Sequence, residues 1–275
     1  MNLLHAPRFP TRLLAASLVG LAAAAATPCG AADAPAATPE GLPANFAAFE
    51  SQQALVPAVV AVLDAWHAAS APRPAHAVSR ITLAKKVTTN GRTTAQATQV
   101  LSLLADHPAW ATSTLETTGG PLALHQSTLS WRGLLTIDNR LSVVLPIGGE
   151  VRTLRTLTSA LVLPDAFDVA IKPGASWSYE VTTRSGPNVP FDAEAEPVLK
   201  TRVLHVRCVN SAARPASTLA GDFTGTMIAI RCEPQEKGDA TVTSAWLEDE
   251  GVFVPMETVR GEGYVDTYAV TRVER

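Results

Sequence analysis

The chain has 275 residues, 22 of them Lys or Arg and 25 Asp or Glu, for a formal net charge of −3. That balance excludes the basic face a nucleic-acid binder needs. The length admits a sizeable core, and with aromatic residues at 5% each tryptophan carries information.

Arg8 and Arg12 precede an apolar run over 13–26, and small residues continue to Ala32. A basic start, a short apolar centre and a small-residue exit form a secretory signal peptide. Residues 1–32 are therefore read as a signal cleaved after Ala32, with Ala31 the next best site. The run is too short and too poor in leucine for a membrane span. Pro28 directly before Cys29 spoils a lipoprotein signal. Removing Arg8 and Arg12 leaves 20 basic against 25 acidic residues, a mature charge of −5. No later apolar stretch is long enough to span a bilayer, so no transmembrane span is expected after signal removal. The expected location is the periplasm or the extracellular medium.

Residues 33–44, rich in Ala and Pro, read as a flexible spacer, and 45–275 as one domain. Asn45 suits the cap of a short helical piece reaching Ala54, and Pro57 suits a first helical turn. Val56, Val59, Val60, Leu63 and Trp66 follow at helical spacing and give one apolar face. Asp64 and His67 lie three apart there and read as a surface contact.

Beyond Pro72 and Pro74 the period changes to two. Segments 81–89 and 92–104 flank Asn90 and Gly91, the strongest short hairpin signal; 101–105 also fits the start of a helical turn. Threonine and valine dominate from here, as strands prefer. Strands are predicted over 110–117, 122–131, 141–145, 151–163 and 176–183. Turns are predicted at 119–121, at Asp138 and Asn139, at Gly148 and Gly149, and at 172–174. Three prolines and three acidic residues in 186–197 predict a long loop. Two cysteine-bearing strands follow, then strands over 240–248, 252–259 and 263–273, with 248–251 a solvated hairpin turn. Eleven or twelve strands joined by short turns predict a large antiparallel sheet.

Leu204, Val206 and Cys208 share one strand parity, as do Ile228, Ile230 and Cys232, so both cysteines face the core with their aliphatic neighbours. His205, Arg207, Ala229 and Arg231 face the other way. Signal cleavage removes Cys29 and leaves an even count, which in an oxidising compartment favours a Cys208–Cys232 disulfide. The alternative is two buried free thiols.

No constellation carries chemistry. His205 and Cys208 point to opposite faces of one strand and cannot share a metal ion. Asp165 and Asp168 supply too few oxygens for calcium. Ser176 lacks the glycine spacing of a nucleophile elbow. No catalytic residue, metal-ligand set or cofactor site is expected, and the protein reads as a non-enzyme. Tryptophans at 66, 110, 131, 177 and 246 read first as core; the sharper reading places some along an apolar groove, since Trp joins large area to one donor.

In residues 220–275 a strand with Trp246 leads to an acidic turn at Gly251, a returning strand with Pro255, and a strand opening at Gly263 and carrying Tyr268. This order resembles the C-terminal strands of secreted bacterial proteins related to periplasmic lipoprotein-carrier (LolA/LolB-like) half-barrels. The resemblance covers the last quarter and implies a curved half-barrel with an apolar-ligand cavity. The fold expected is mainly β: a large curved antiparallel sheet or open half-barrel with one N-terminal helix packed on it. The function expected is binding of a lipid or other apolar small molecule between helix and sheet, facing Val59, Leu63, Trp66, Trp131 and Trp246. The alternative is a structural module with a filled core that meets an envelope protein partner.

Overall fold

Strict alternation begins at Arg80 and sets the architecture. β1 (Arg80–Thr89) buries Ile81, Leu83 and Val87, all of one parity. It turns through Asn90 (φ 49°) and Gly91 (φ 77°) into β2 (Arg92–Leu103). Both central residues are left-handed, the two-residue turn that matches strand twist. The computed structural model describes Phe46 and residues 55–68, 78–118, 123–144, 151–187, 200–236, 238–261 and 263–275. All fall in one compact unit, Ala37–Arg275. The expected signal peptide, the spacer and most of the 186–197 loop lie outside the described residues.

The strands continue as β3 (Trp110–Thr118), β4 (Ala123–Trp131), β5 (Leu135–Val144), β6 (Val151–Val162), β7 (Ser176–Pro187) and β8 (Lys200–Asn210). Then come β9 (Arg214–Pro215), β10 (Thr226–Pro234), β11 (Thr241–Leu247), β12 (Val252–Val259) and β13 (Tyr264–Glu274). Helix α1 (Pro57–Ala68) precedes them, and a one-turn helix α2 (Phe167–Ala170) joins β6 to β7. Each strand pairs antiparallel with its neighbour. Two pairings are not sequential: β8 with β10, and β13 with β1. With β10 also paired to β11, every strand except the two-residue β9 has at least two neighbours, and twelve strands close into a barrel. The sheet is mainly β with a helix against it, as expected, and it is closed where a half-barrel is open.

Closure depends on the seam between β1 and β13, which runs from Arg80 opposite Glu274 to Thr89 opposite Tyr264. Lys85 Nζ reaches Asp266 across this seam at 2.8 Å, both side chains being almost wholly buried. At its end Asn90 N–H donates to Gly263 O at 2.7 Å. Gly263 has φ 78°, and a Cβ there would overlap the Asn90 side chain.

Two expectations are corrected. Asp138 and Asn139 are not a turn; they sit inside β5, and the chain reverses earlier, at 132–134 between β4 and β5. Arg155 holds Asp138 with two hydrogen bonds of 2.9 Å, and Arg140 adds one of 3.2 Å. A fully buried carboxylate is tolerable only when paired in this way. The acidic turn after β11 reverses the chain as expected, but Glu250 in it is buried, not solvated. It accepts from Arg275 at 2.9 and 3.2 Å and from Val78 N–H at 3.3 Å.

Candidate ligand-binding site

The site is built on an aromatic cluster and the cavity beside it. α1 turns Val59, Leu63 and Trp66 to one side, at i, i+4 and i+7, and all three are buried. Trp66 stacks on Trp131 at the end of β4, centroids 5.0 Å apart, and meets Phe167 of α2 edge-on at 4.9 Å. Phe167 in turn meets Trp246 at 5.2 Å and Phe253 at 6.3 Å. The cluster thus ties the helix to strand ends from both halves of the barrel. The Arg132 guanidinium lies among these rings, 5.1 Å from Trp131 and from Phe167 and 5.5 Å from Trp246. Its Nη1 donates to Gly251 O at 3.2 Å.

The β4–β5 turn is pinned to β12 from the same residue. Phe253 N–H donates to Arg132 O at 2.8 Å. Gly133 follows at φ 81°, and a Cβ there would stand 2.5 Å from Phe253 O. Only glycine allows the turn to come so close.

Val59, Leu63, Trp66, Trp131 and Trp246, the residues expected to face a ligand, are thus brought together, and no more than 4% of any is exposed. They fill their space against one another. Trp66, Trp110 and Trp131 have no acceptor for their indole N–H among the described residues, so area rather than hydrogen bonding holds these rings. Trp177 differs, donating to Asn210 Oδ1 at 3.1 Å.

Beside this cluster lies a cavity of about 350 Å³. Leu135, Ile137 and Leu161 belong to both: they line the cavity and pack in the cluster. Its apolar wall continues through Val181, Leu204 and Val242, and its polar wall carries Gln126, Asn139 and several threonines. β5 and β11 stand five strands apart round the barrel. The outside of a barrel is convex, so a space touching both Asn139 and Val242 lies within it.

Tyr179 links the two regions. Its ring lies 5.7 Å from that of Trp177, and it borders the cavity. Its hydroxyl makes no hydrogen bond to another described residue. Burial pushes this hydroxyl up to about 12, because the phenolate would lose hydration without gaining a partner. Sequence reasoning missed Tyr179, Gln126 and Asn139. A threonine or glutamine facing a cavity alternates in a strand just as one facing water does. The only local signal was the odd parity shared by Trp177, Tyr179, Val181 and Thr183.

The cysteines stand opposite one another in the β8–β10 register and are bonded, S–S 2.06 Å. Cys208 and Val206 are buried, while His205 and Arg207 are exposed, as their parity requires. His205 lies between two carboxylates, Glu180 Oε2 at 2.9 Å and Glu236 Oε1 at 3.1 Å. The hydrogen bond to Glu236 is the main cause that raises its pKa above 6.5. The two acids bind opposite ring nitrogens, which suits an imidazolium and not a metal ion. Among the described residues, no three His, Cys, Asp or Glu gather as a metal would require. Nor is any helix there long and apolar enough to cross a membrane.

Comparison with protein-family models, curated proteins and solved structures gave no match.

Proposed function

We propose that this is an exported, non-enzymatic protein that holds one apolar or lipid-like molecule inside its barrel. The observation that carries this reading is the cavity of about 350 Å³ walled by Leu135, Ile137, Leu161, Val181, Leu204 and Val242. Its volume falls in the range of ligand sites, ~300–1,000 Å³. It also has their composition, an apolar lining with a few polar groups. The signal-like residues 1–32 and the Cys208–Cys232 bond support a periplasmic or secreted location. The ligand's place differs from the one the helix face suggested: α1 and its aromatic partners form a floor, and the molecule lies next to them.

A second reading is favoured by the density of that floor. Helix and sheet are packed through Val59, Leu63, Trp66, Trp131 and Trp246 with little exposed area. On this view the protein is a structural or interaction module of the cell envelope, and the cavity holds only water.

Binding of N-phenyl-1-naphthylamine, a dye that brightens in apolar surroundings, separates the two. The binding reading expects brightening that saturates at one dye per chain. Val242→Trp, which fills the cavity from the wall opposite Asn139, should abolish it with an unchanged melting temperature. A dye signal that is absent in the wild type, or unaffected by Val242→Trp, would favour the module.

A further inference from the structure

The polar wall of the cavity has a defined hydrogen-bonding pattern. Gln126 Nε2 donates to Asn139 Oδ1 at 2.7 Å, and Thr128 Oγ1 donates to the same oxygen at 3.0 Å. An amide oxygen offers two acceptor positions. In this arrangement both are taken, which leaves the Asn139 nitrogen as the free end. The remaining groups are Asn139 Nδ2, a donor, and Gln126 Oε1, an acceptor. Neither has a partner among the described residues, and both side chains line the cavity. Together they present the donor-and-acceptor edge of a single carboxamide, assembled from two neighbouring strands.

The rest of the lining is uncharged. No Asp, Glu, Lys, Arg or His occurs among the described residues that border the cavity. Buried carboxylates elsewhere already face cations: Asp138 is held by Arg155 and Arg140, and Asp266 is paired with Lys85. A carboxylate or ammonium entering here would lose its hydration and gain no counter-ion, a cost of several kcal/mol. The Tyr179 hydroxyl remains a neutral donor over the whole physiological range, in keeping with such a site.

Size limits the body of the ligand. At about 350 Å³ the cavity sits at the small end of ligand sites, and it suits one short chain or a compact ring system. Leu161, Val181, Leu204 and Val242 form its apolar side, on strands other than the two that carry the amide pair.

We infer that the cavity selects a single uncharged amphiphile whose head both accepts and donates a hydrogen bond, as a carboxamide or an alcohol does. The head accepts from Asn139 Nδ2 and donates to Gln126 Oε1, and the apolar body lies along Leu161, Val181, Leu204 and Val242. Fatty-acid anions and two-chain lipids are rejected, the first by charge and the second by volume. This rests on the cavity being a binding site at all.

Competition against bound N-phenyl-1-naphthylamine tests it, with three ten-carbon probes at pH 8: decanamide, methyl decanoate and decanoate. Decanamide should displace the dye at about tenfold lower concentration than the ester, which accepts but cannot donate. Its advantage over decanoate should be about a hundredfold or more. Asn139→Leu and, separately, Gln126→Leu should bring decanamide to the level of the ester, each ratio being read against that variant's own affinity for the dye. Decanoate competing as well as decanamide overturns the proposal. So does an unchanged ratio in both variants with the dye still bound. Should a variant lose its strand signal in circular dichroism, the wild-type ratios alone decide. Absence of dye binding to the wild type removes the binding reading itself, and this inference with it.

Discussion

Tyr179 shows how a single side chain reports its surroundings. Tyr179 borders the cavity, and burial pushes the ionisation of its hydroxyl from 10.0 up to about 12. Below pH 10 the phenol is protonated in both the folded and unfolded chain, so pH acts on stability through other groups. Between pH 10 and 12 the folded state keeps a proton that the unfolded state has lost, and stability falls as pH rises. Tyr179→Phe should therefore remove a late step near pH 12 from the 295 nm absorbance titration. It should also flatten the fall of the urea midpoint over that interval; a midpoint that falls as steeply as in the wild type would count against an enclosed hydroxyl. Residues of this kind were the least legible in the sequence. Asp138 and Asn139 read as a turn because Asp and Asn usually stay near water. The partners that decide this, Arg155 for one and Gln126 and Thr128 for the other, come from adjacent strands, with Arg140 of the same strand adding a bond to Asp138. Such pairing overrides local preference, and it leaves no trace in the residues on either side.

At the scale of elements, local pattern was a better guide. The spacing of Val59, Leu63 and Trp66 defines α1 and the face it buries, and the Asn90–Gly91 turn fixes the first hairpin. Segments 252–259 and 226–233, rich in β-branched and other apolar residues, are strands. α2 was not legible, because four residues are too few to carry a period, yet it holds Phe167 at the centre of the aromatic cluster. The resulting floor makes a definite demand on Trp66. It packs on Trp131, Phe167 and Trp177 and is 3% exposed. Trp66→Ala should destabilise the fold by about 3–5 kcal/mol in urea denaturation. Were α1 instead a mobile cover, the urea midpoint would hold steady and only dye retention would fall.

At the scale of the whole molecule, strand number was legible and closure was not. Alternation counts strands; it does not record which ones meet. The β8–β10 pairing skips β9, and its five registered positions include Cys208 opposite Cys232. The bond therefore staples a non-sequential junction of the ring, closing a loop over a sequence separation of 24. In the chain-entropy account, a loop of this size stabilises by about 3 kcal/mol. Replacing both cysteines by alanine should lower the denaturation midpoint accordingly, and the wild type in reducing buffer should match the double variant. Free alkylation of both thiols in the native protein would show the staple to be missing.

The seam between β1 and β13 also has a history in time. Ser79, beside β1, bonds Glu274 across a separation of 195 residues. At a synthesis rate of ~5–20 residues per second, that distance represents about 10–40 s on the ribosome. Throughout this interval one edge of β1 is an open row of donors and acceptors, able to template pairing with another chain. β1 carries Lys85 and Lys86 at its centre, and lysine is the residue that blunts such an edge. When β13 arrives, Asp266 meets Lys85 at 2.8 Å. The charge that keeps the nascent edge solitary is cancelled by the strand that completes it.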